Sequence, residues 1–228
     1  MSFINEFFWG KFTNFNRALK RPKKVRSLKL EIFDNDFNDY SHELSLFENL
    51  REINLHVSVN HSNHFPKEIG NLNNLEKITI LNYPLTEFPQ CLCNLQNLKY
   101  LYLRGNEIVE IPEFDKPIFQ NLKVFKIENC ELKKIPHFVS NLDKLEVLSF
   151  AITKINTIAE TKLPQTIQEL NLGGTMISSI NKNDLPQSLK KLFINGSLFN
   201  YEQSKVNYKE IEQLESTIPN LKIIKTKY

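Results

Sequence analysis

The apolar positions between Leu98 and Pro112 follow a fixed spacing. The residues that define it are Leu98, Leu101, Leu103, Asn106, Ile108, Ile111 and Pro112. Alternation in the first part of this stretch predicts a short β-strand, because successive side chains of a strand point to opposite faces. Tyr100, Tyr102 and Arg104 therefore point away from the leucines. One such unit cannot cover its own apolar face, so the pattern predicts stacked copies of it.

Most of the chain repeats this unit. The repeat starts are Val25, Leu50, Leu75, Leu98, Leu122, Leu145, Ile167, Leu189 and Leu221. Neighbouring starts lie 22–25 residues apart, except for the last, which follows after 32. Apolar residues follow the first eight starts at three and five positions on: Leu28/Leu30, Ile53/Leu55, Ile78/Ile80, Leu101/Leu103, Phe125/Ile127, Leu148/Phe150, Leu170/Leu172 and Leu192/Ile194. We predict about eight stacked repeats and a truncated ninth.

This spacing is typical of leucine-rich repeats, and the chain resembles that family. Residues 65–112 resemble the intracellular Ras-group or Ras-suppressor type, through Phe65-Pro66, Ile69-Gly70-Asn71-Leu72 and Phe88-Pro89. The segments 163–167 and 185–189 share a shorter unit, similar to repeats of the FNIP type or of bacterial effector ubiquitin ligases. The resemblance implies an α/β fold. Its form would be a right-handed solenoid, or horseshoe, with a parallel concave β-sheet, short helical or irregular convex segments, and helical caps.

The two ends of the chain read as caps around the repeats of residues 25–197. Residues 1–24 form the first, because 2–20 carry apolar side chains at helical spacing: Phe3, Ile4, Phe7, Phe8, Phe12, Phe15 and Leu19. Such a helix would cover the open edge of the first strand. A second interpretation is a helix on a membrane surface, because basic residues follow the aromatics: Lys20, Arg21, Lys23, Lys24 and Arg26.

Residues 198–228 read as the C-terminal cap. Asn207 and Glu210 form an arrangement like a capping box at the start of a helix. Ile211, Leu214 and Ile218 line one face of that helix, and Pro219 ends it. The apolar residues of 221–224 then predict a closing strand.

The position of Asn106 is occupied irregularly along the chain. In repeat order it holds Phe33, Ser58, Tyr83, Asn106, Cys130, Thr153, Thr175 and Ser197. Hydroxyl and thiol groups bond to a turn more weakly than an amide does. We therefore expect local variation in the loops at Phe33 and Tyr83, and we interpret Cys130 as a ladder residue rather than a nucleophile. Cys91 and Cys93 should lie on the back of the solenoid, one facing the core and the other solvent.

Composition restricts the class of partner and the cellular compartment, but it does not identify a partner. The formal net charge of +3 gives no reason to expect nucleic acid as the partner. No apolar run approaches the length of a transmembrane helix, and the first residues lack the pattern of a secretory signal. Three cysteines are too few for a disulfide framework. These features together favour a cytoplasmic protein.

No catalytic or cofactor-binding motif emerges from the sequence. His56, His61 and His64 could supply imidazoles to a metal, but no acidic or thiol ligand lies beside them, so we predict no metal site. Gly173-Gly174 lacks the flanks of a phosphate-binding loop. No nucleophile elbow occurs. We therefore expect neither an enzyme nor a bound cofactor.

The outward strand positions predict three rows across the concave sheet, with a candidate site at their centre. Tyr and Arg are the residue types enriched at binding hot spots. The candidate partner-binding residues are Tyr100, Tyr102, Arg104, Lys126, Glu128, Leu81 and Phe193. Val124, Val147, Ala151 and Ile152 should extend the site as an apolar area.

We therefore predict a monomeric, non-catalytic module that binds a protein partner on its concave face. Two alternatives remain open. One is a scaffold held at a membrane by the N-terminal aromatic and basic segment. The other is a bacterial-type effector that acts inside a host cell.

Overall fold

The computed structural model describes residues 9–32, 41–57, 65–194 and 208–224. Its central feature is one sheet of ten parallel strands, in which spatial order equals chain order. The strands are β1 (Lys11–Phe12), β2 (Ser27–Ile32), β3 (Glu52–Val57), β4 (Lys77–Leu81), β5 (Tyr100–Arg104), β6 (Val124–Glu128), β7 (Val147–Ser149), β8 (Glu169–Asn171), β9 (Lys191–Phe193) and β10 (Lys222–Ile224). The predicted α/β solenoid with a parallel sheet is confirmed.

Short helical segments return the chain from one strand to the next. Most are 3₁₀ helices, at Pro22–Lys24, Ser41–Leu46, Lys67–Asn71, Gln90–Asn94, His137–Asn141 and Lys182–Asp184. In three of them the residue before the helix is a proline in extended conformation, namely Pro66, Pro89 and Pro136. Within the described residues, the structure gives bounds for two α-helices near the ends of the chain: α1 (Phe15–Leu19) and α2 (Tyr208–Thr217).

The repeat starts form a continuous apolar column inside the solenoid. All nine are buried, and the first eight are fully inaccessible to solvent. The residues three positions after the first eight starts are buried as well, from Leu28 to Leu192. Phenylalanines fill the interior between β5 and β7, where Phe125 packs against Phe138 and Phe150 with ring centroids 5.6 and 6.0 Å apart. The spacing of the repeat starts in the sequence is therefore the spacing at which side chains enter the core.

A left-handed residue ends the strand region in five consecutive repeats. It lies seven positions after each repeat start, and the residues are Asn82, Gly105, Asn129, Ile152 and Gly174. Glycine and asparagine adopt this conformation readily. Ile152 does not, because its branched Cβ crowds the backbone at a φ of 57°. The sixth repeat therefore holds backbone strain at a position where its neighbours hold none.

The residues at the Asn106 position differ from repeat to repeat in their contacts. Asn106 is buried and bonds only within its own loop, accepting from the amide of Ile108 at 3.1 Å, and its Nδ2 has no partner in the described residues. At this ladder position Tyr83 is buried and follows the left-handed Asn82, and Cys130 is buried too. Phe33, Ser58 and Ser197 lie outside the described residues.

Side-chain amides one residue before four of the repeat starts link neighbouring segments of the chain. Asn49, Asn74, Asn97 and Asn121 each donate from Nδ2 to a backbone carbonyl of the preceding repeat, at 2.8–2.9 Å. Thr166 and Ser188 make similar bonds to the preceding repeat, to the carbonyls of Leu145 and Ile167. The signal was present in the sequence as an Asn-Leu pair at five of the nine starts: Asn49-Leu50, Asn74-Leu75, Asn97-Leu98, Asn121-Leu122 and Asn220-Leu221.

The N-terminal segment differs from the single helix predicted over residues 2–20. Residues 1–8 lie outside the described part of the chain, and residues 11–19 form β1 and α1. Gly10 interrupts the helical pattern at a φ of 63°, and its carbonyl accepts from the amides of Arg26 and Ser27. A Cβ at Gly10 would lie 2.1 Å from the carbonyl oxygen of Lys24. The chain turns here and adds a strand to the sheet.

The C-terminal elements follow the prediction. Helix α2 and strand β10 occupy the expected segments, and β10 pairs with β9. Leu214, Ile218 and Leu221 are buried against the last repeats. Asn207 lies outside the described residues.

We predict that Phe12→Ala lowers the free energy of unfolding by about 3 kcal/mol, the scale of a buried phenylalanine truncation. Phe12 is 3% exposed, and its strand covers the edge of β2. Lys11→Ala, one position away on the exposed face, should change stability by less than about 0.5 kcal/mol. Urea unfolding of both variants makes the test. Equal stabilities would mean that this segment does not cover the core.

We predict that Ile152→Asn raises the free energy of unfolding by about 1 kcal/mol, because asparagine relieves the left-handed strain. The reciprocal change Asn129→Ile, at the same position of the preceding repeat, should lower it by about as much. Thermal and urea unfolding measure both. A loss of stability in Ile152→Asn would show that the packing of this side chain outweighs its backbone strain.

Candidate functional site

The strand register brings the predicted rows into line. In the first row Glu52, Lys77, Tyr100, Val124, Val147, Glu169 and Lys191 are successive partners. In the second, the order is Asn54, Thr79, Tyr102, Lys126, Ser149, Asn171 and Phe193. The third joins Glu31, His56, Leu81, Arg104 and Glu128. Residues from different repeats therefore lie about one strand spacing, roughly 4.8 Å, apart.

Two tyrosines form the centre of this face, and a lysine lies over each ring. The Nζ of Lys77 is 5.2 Å from the ring centroid of Tyr100. The Nζ of Lys126 is 5.8 Å from the ring centroid of Tyr102. Both distances are within the range of a cation–π interaction. The two rings are half-buried and present flat apolar area beside positive charge.

Hydrogen bonds fix the ring of Tyr102. Its hydroxyl donates to Oε2 of Glu128 at 2.8 Å, and the hydroxyl of Ser149 donates to Oε1 of the same carboxylate at 2.5 Å. Burial and the bond to Glu128 raise the pKa of Tyr102 to about 12, so the hydroxyl remains a donor at neutral pH. Burial also raises the pKa of Tyr100. Three strands thus hold one aromatic side chain in place.

Ion pairs border the centre on both sides. Lys77 bonds Oε1 of Glu52 at 2.8 Å, and Lys191 bonds Oε1 of Glu169 at 2.5 Å. Burial alone would raise the pKa of Glu52, but hydrogen bonds from Lys77, Asn54 and Ser27 hold it below its usual value. These charges are already compensated within the protein. Exposed ion pairs of this kind contribute little to stability.

The structure brings together most of the candidate residues but not all. Tyr100, Tyr102, Arg104, Lys126 and Glu128 lie on β5 and β6. Leu81 is the register partner of Arg104, so it borders the group. Phe193 shares a row with Lys126 but lies three strands away, roughly 14 Å at the usual spacing.

The apolar extension is smaller than the sequence indicated. Val124 and then Val147 follow Tyr100 in the first row, and both are half-buried. Ala151 is 7% exposed and offers little surface to a partner. Ile152 lies beyond the end of β7, at the left-handed turn.

Two residues outside the candidate set complete the site. Lys77 and Ser149 contact the central tyrosine and carboxylate directly. Lys77 is the register partner of Tyr100, and Ser149 is the register partner of Lys126, which pairs with Tyr102. Both residues could have been found by following the strand register outward from each tyrosine.

His56 and the three cysteines, all within the described residues, contact other side chains or the core. His56 Nε2 lies 3.1 Å from Nδ2 of Asn82, while residues 61 and 64 lie outside the described part. Cys91 and Cys93 both pack partly against the core, so the prediction that one faces solvent is wrong. Burial raises the pKa of Cys93 to about 12 and that of Cys130 to about 11, which keeps both thiols protonated and unreactive.

In the part of the chain that the structure describes, no three histidine, cysteine or acidic side chains are grouped as metal ligands. None of the helices there combines the length and the apolar character needed to cross a bilayer.

Comparisons with known proteins agree with this architecture. None of the curated proteins compared matches the chain. Among solved structures, an internalin from Listeria monocytogenes is 20% identical with a TM-score of 0.63, and the match covers 93% of this chain and 64% of the internalin chain. At this identity the likeness concerns the fold. A family model described as a leucine-rich repeat region matches residues 24–194. The chain therefore belongs to the leucine-rich-repeat family.

Proposed function

We propose that the chain is a non-catalytic, cytoplasmic interaction module that binds a protein partner on its concave face, at Tyr100, Tyr102 and Lys126. Leucine-rich-repeat domains generally mediate protein–protein interaction, which supports the general role. The observation that carries the specific proposal is the pair of tyrosine rings on the same face of β5, each with a lysine over it.

The fixed geometry of Tyr102 favours binding. Ordering a side chain at an interface costs roughly 0.5–1.5 kcal/mol. The bonds from Tyr102 and Ser149 to Glu128 impose that order before any partner arrives. A preorganised aromatic side chain therefore keeps more of its contact energy for the complex.

The lysines around the tyrosines differ in whether a carboxylate pairs with them. Lys77 and Lys191 are neutralised by carboxylates, whereas Lys126 forms no ion pair within the described residues. The formal net charge of the central patch is positive, because the charges of Arg104 and Lys126 outweigh the single carboxylate of Glu128. A partner that places a carboxylate near Lys126 and an apolar side chain near Tyr100 would complement the site.

The membrane alternative needs the N-terminal aromatics to be free. Phe12 is buried, and Phe15 packs edge-on against Phe47 with ring centroids 5.6 Å apart. These two side chains are committed to the core. The membrane proposal would therefore rest on Trp9, which is 66% exposed, and on the aromatic side chains of residues 1–8, which lie outside the described residues.

We predict that Tyr102→Ala combined with Arg104→Ala weakens partner binding by about 2 kcal/mol or more, a loss of roughly 30-fold. The partner is first isolated with the wild-type chain from the cytosol of its source. Titration calorimetry then compares the two proteins. Neither side chain enters the core, so the melting temperature should change little.

Two matched variants separate contact from folding. Tyr102→Phe keeps the ring and should retain most of the affinity. Leu46→Ala removes an exposed side chain, 49% accessible, from the helical side and should have no effect. If the double variant binds as tightly as the wild type, or Leu46→Ala binds as weakly as the double variant, the concave assignment fails.

A further inference from the structure

An apolar row crosses the centre of the concave face. Tyr100, Val124 and Val147 are successive register partners on β5, β6 and β7. All three are half-buried, so each leaves part of its apolar surface accessible on this face. The ion pairs of Glu52 with Lys77 and of Glu169 with Lys191 occupy the next positions on either side. The row therefore has a defined length and defined ends.

The spacing of this row can be compared with that of a partner's side chains. Adjacent strands lie about 4.8 Å apart, so Tyr100 and Val147 are separated by roughly 9.6 Å. In an α-helix, residues i, i+3 or i+4, and i+7 lie at about 4.5–6 and 10.5 Å along the axis. In an extended strand, side chains on one face recur at about 6.7 and 13 Å. The spacing of side chains along a helix matches the row at all three contacts. The spacing along an extended strand is too long to match the row at the third contact.

The bordering ion pairs limit how much of a partner can contact apolar surface. From Lys77 to Glu169 the row spans four strand intervals, or roughly 19 Å. That length corresponds to about 13 helical residues. Lys126 lies in the adjacent row, beside Val124 on the same strand, and its charge is not paired within the described residues. An acidic side chain on the edge of the apolar stripe would reach it.

We propose that the partner presents an amphipathic α-helix of about three or four turns, which lies across β5, β6 and β7. Its apolar residues at i, i+3 or i+4, and i+7 contact Tyr100, Val124 and Val147, and an acidic residue beside them pairs with Lys126. This inference rests on the proposed function, because it assigns the partner's shape and chemistry to the same site. The mode is that of a helix in an apolar groove.

The test uses two display libraries of equal size as probes. One randomises a single face of a helical scaffold, and the other randomises a linear peptide. Both are selected against the full chain. We expect binders from the helical library, with apolar residues at the stated interval and an adjacent acidic residue.

Variants of the chain then locate the binding. Val124→Glu should weaken the selected helices at least tenfold, while Leu46→Glu, on the helical side, should leave them unchanged. Circular dichroism and the melting temperature check that Val124→Glu is folded, and Tyr100→Ser replaces it if it is not. Selection against Lys126→Glu should exchange the acidic residue for lysine or arginine.

The outcomes separate the two proposals. Linear binders that outperform helices and are lost in Val124→Glu would overturn the helical partner but keep the concave site. Helices that bind Val124→Glu as well as the wild type, or an acidic preference unchanged in Lys126→Glu, would overturn the helical assignment. Binders of both libraries that ignore every concave substitution, or no binders at all, would overturn both.

Discussion

The register of parallel strand pairing is the constraint on which the rest of this structure depends. Each strand pairs with the next so that corresponding repeat positions are partners, from β1 to β10. Because side chains alternate between two faces, one register fixes both the apolar column inside and the rows outside. A slip of one residue in any repeat would turn its core side chains to solvent. The same register brings residues far apart in sequence, such as Lys77 and Val147, into one row.

Burial of the repeat starts stabilises that register. Side-chain hydrogen bonds and left-handed residues then adapt each repeat to its neighbours. The Asn-Leu pairs bond one repeat to the previous one outside the strands. Left-handed residues then end the strand region at a common position. The irregular residues at the Asn106 position are tolerated because these other contacts do not pass through them. Sequence variation is therefore concentrated where the register does not need it.

The periodic part of the fold was predictable from the sequence because one interval governs both faces. Leu98 or Ile167 can be recognised by spacing alone, and both are fully buried. The N-terminal segment was not predictable in this way. Its aromatics recur at a helical interval, but Gly10 turns the chain, so that Phe12 joins the sheet. The spacing of apolar residues along the sequence does not show where the backbone turns.

The candidate site was predictable as a set of rows but not as a network. Alternation placed Tyr102 and Glu128 outward, whereas the bond between them and the contribution of Ser149 depend on side-chain reach across strands. Phe193 shows the opposite error, since a shared row says nothing about distance along it. The order of the strands in the sheet shows which outward residues are neighbours, and those neighbours form the surface.

The central claim is that a partner contacts the concave centre, and site-specific photo-crosslinking tests it most directly. A photoreactive amino acid is placed in turn at Thr79, Val124 and Asn171 on the concave rows, and at Gln90 and Leu46 on the helical side. The account predicts covalent capture of the partner from the concave positions, strongest at Val124, and none from the helical side. Capture from Gln90 or Leu46 with none from Val124 would contradict it.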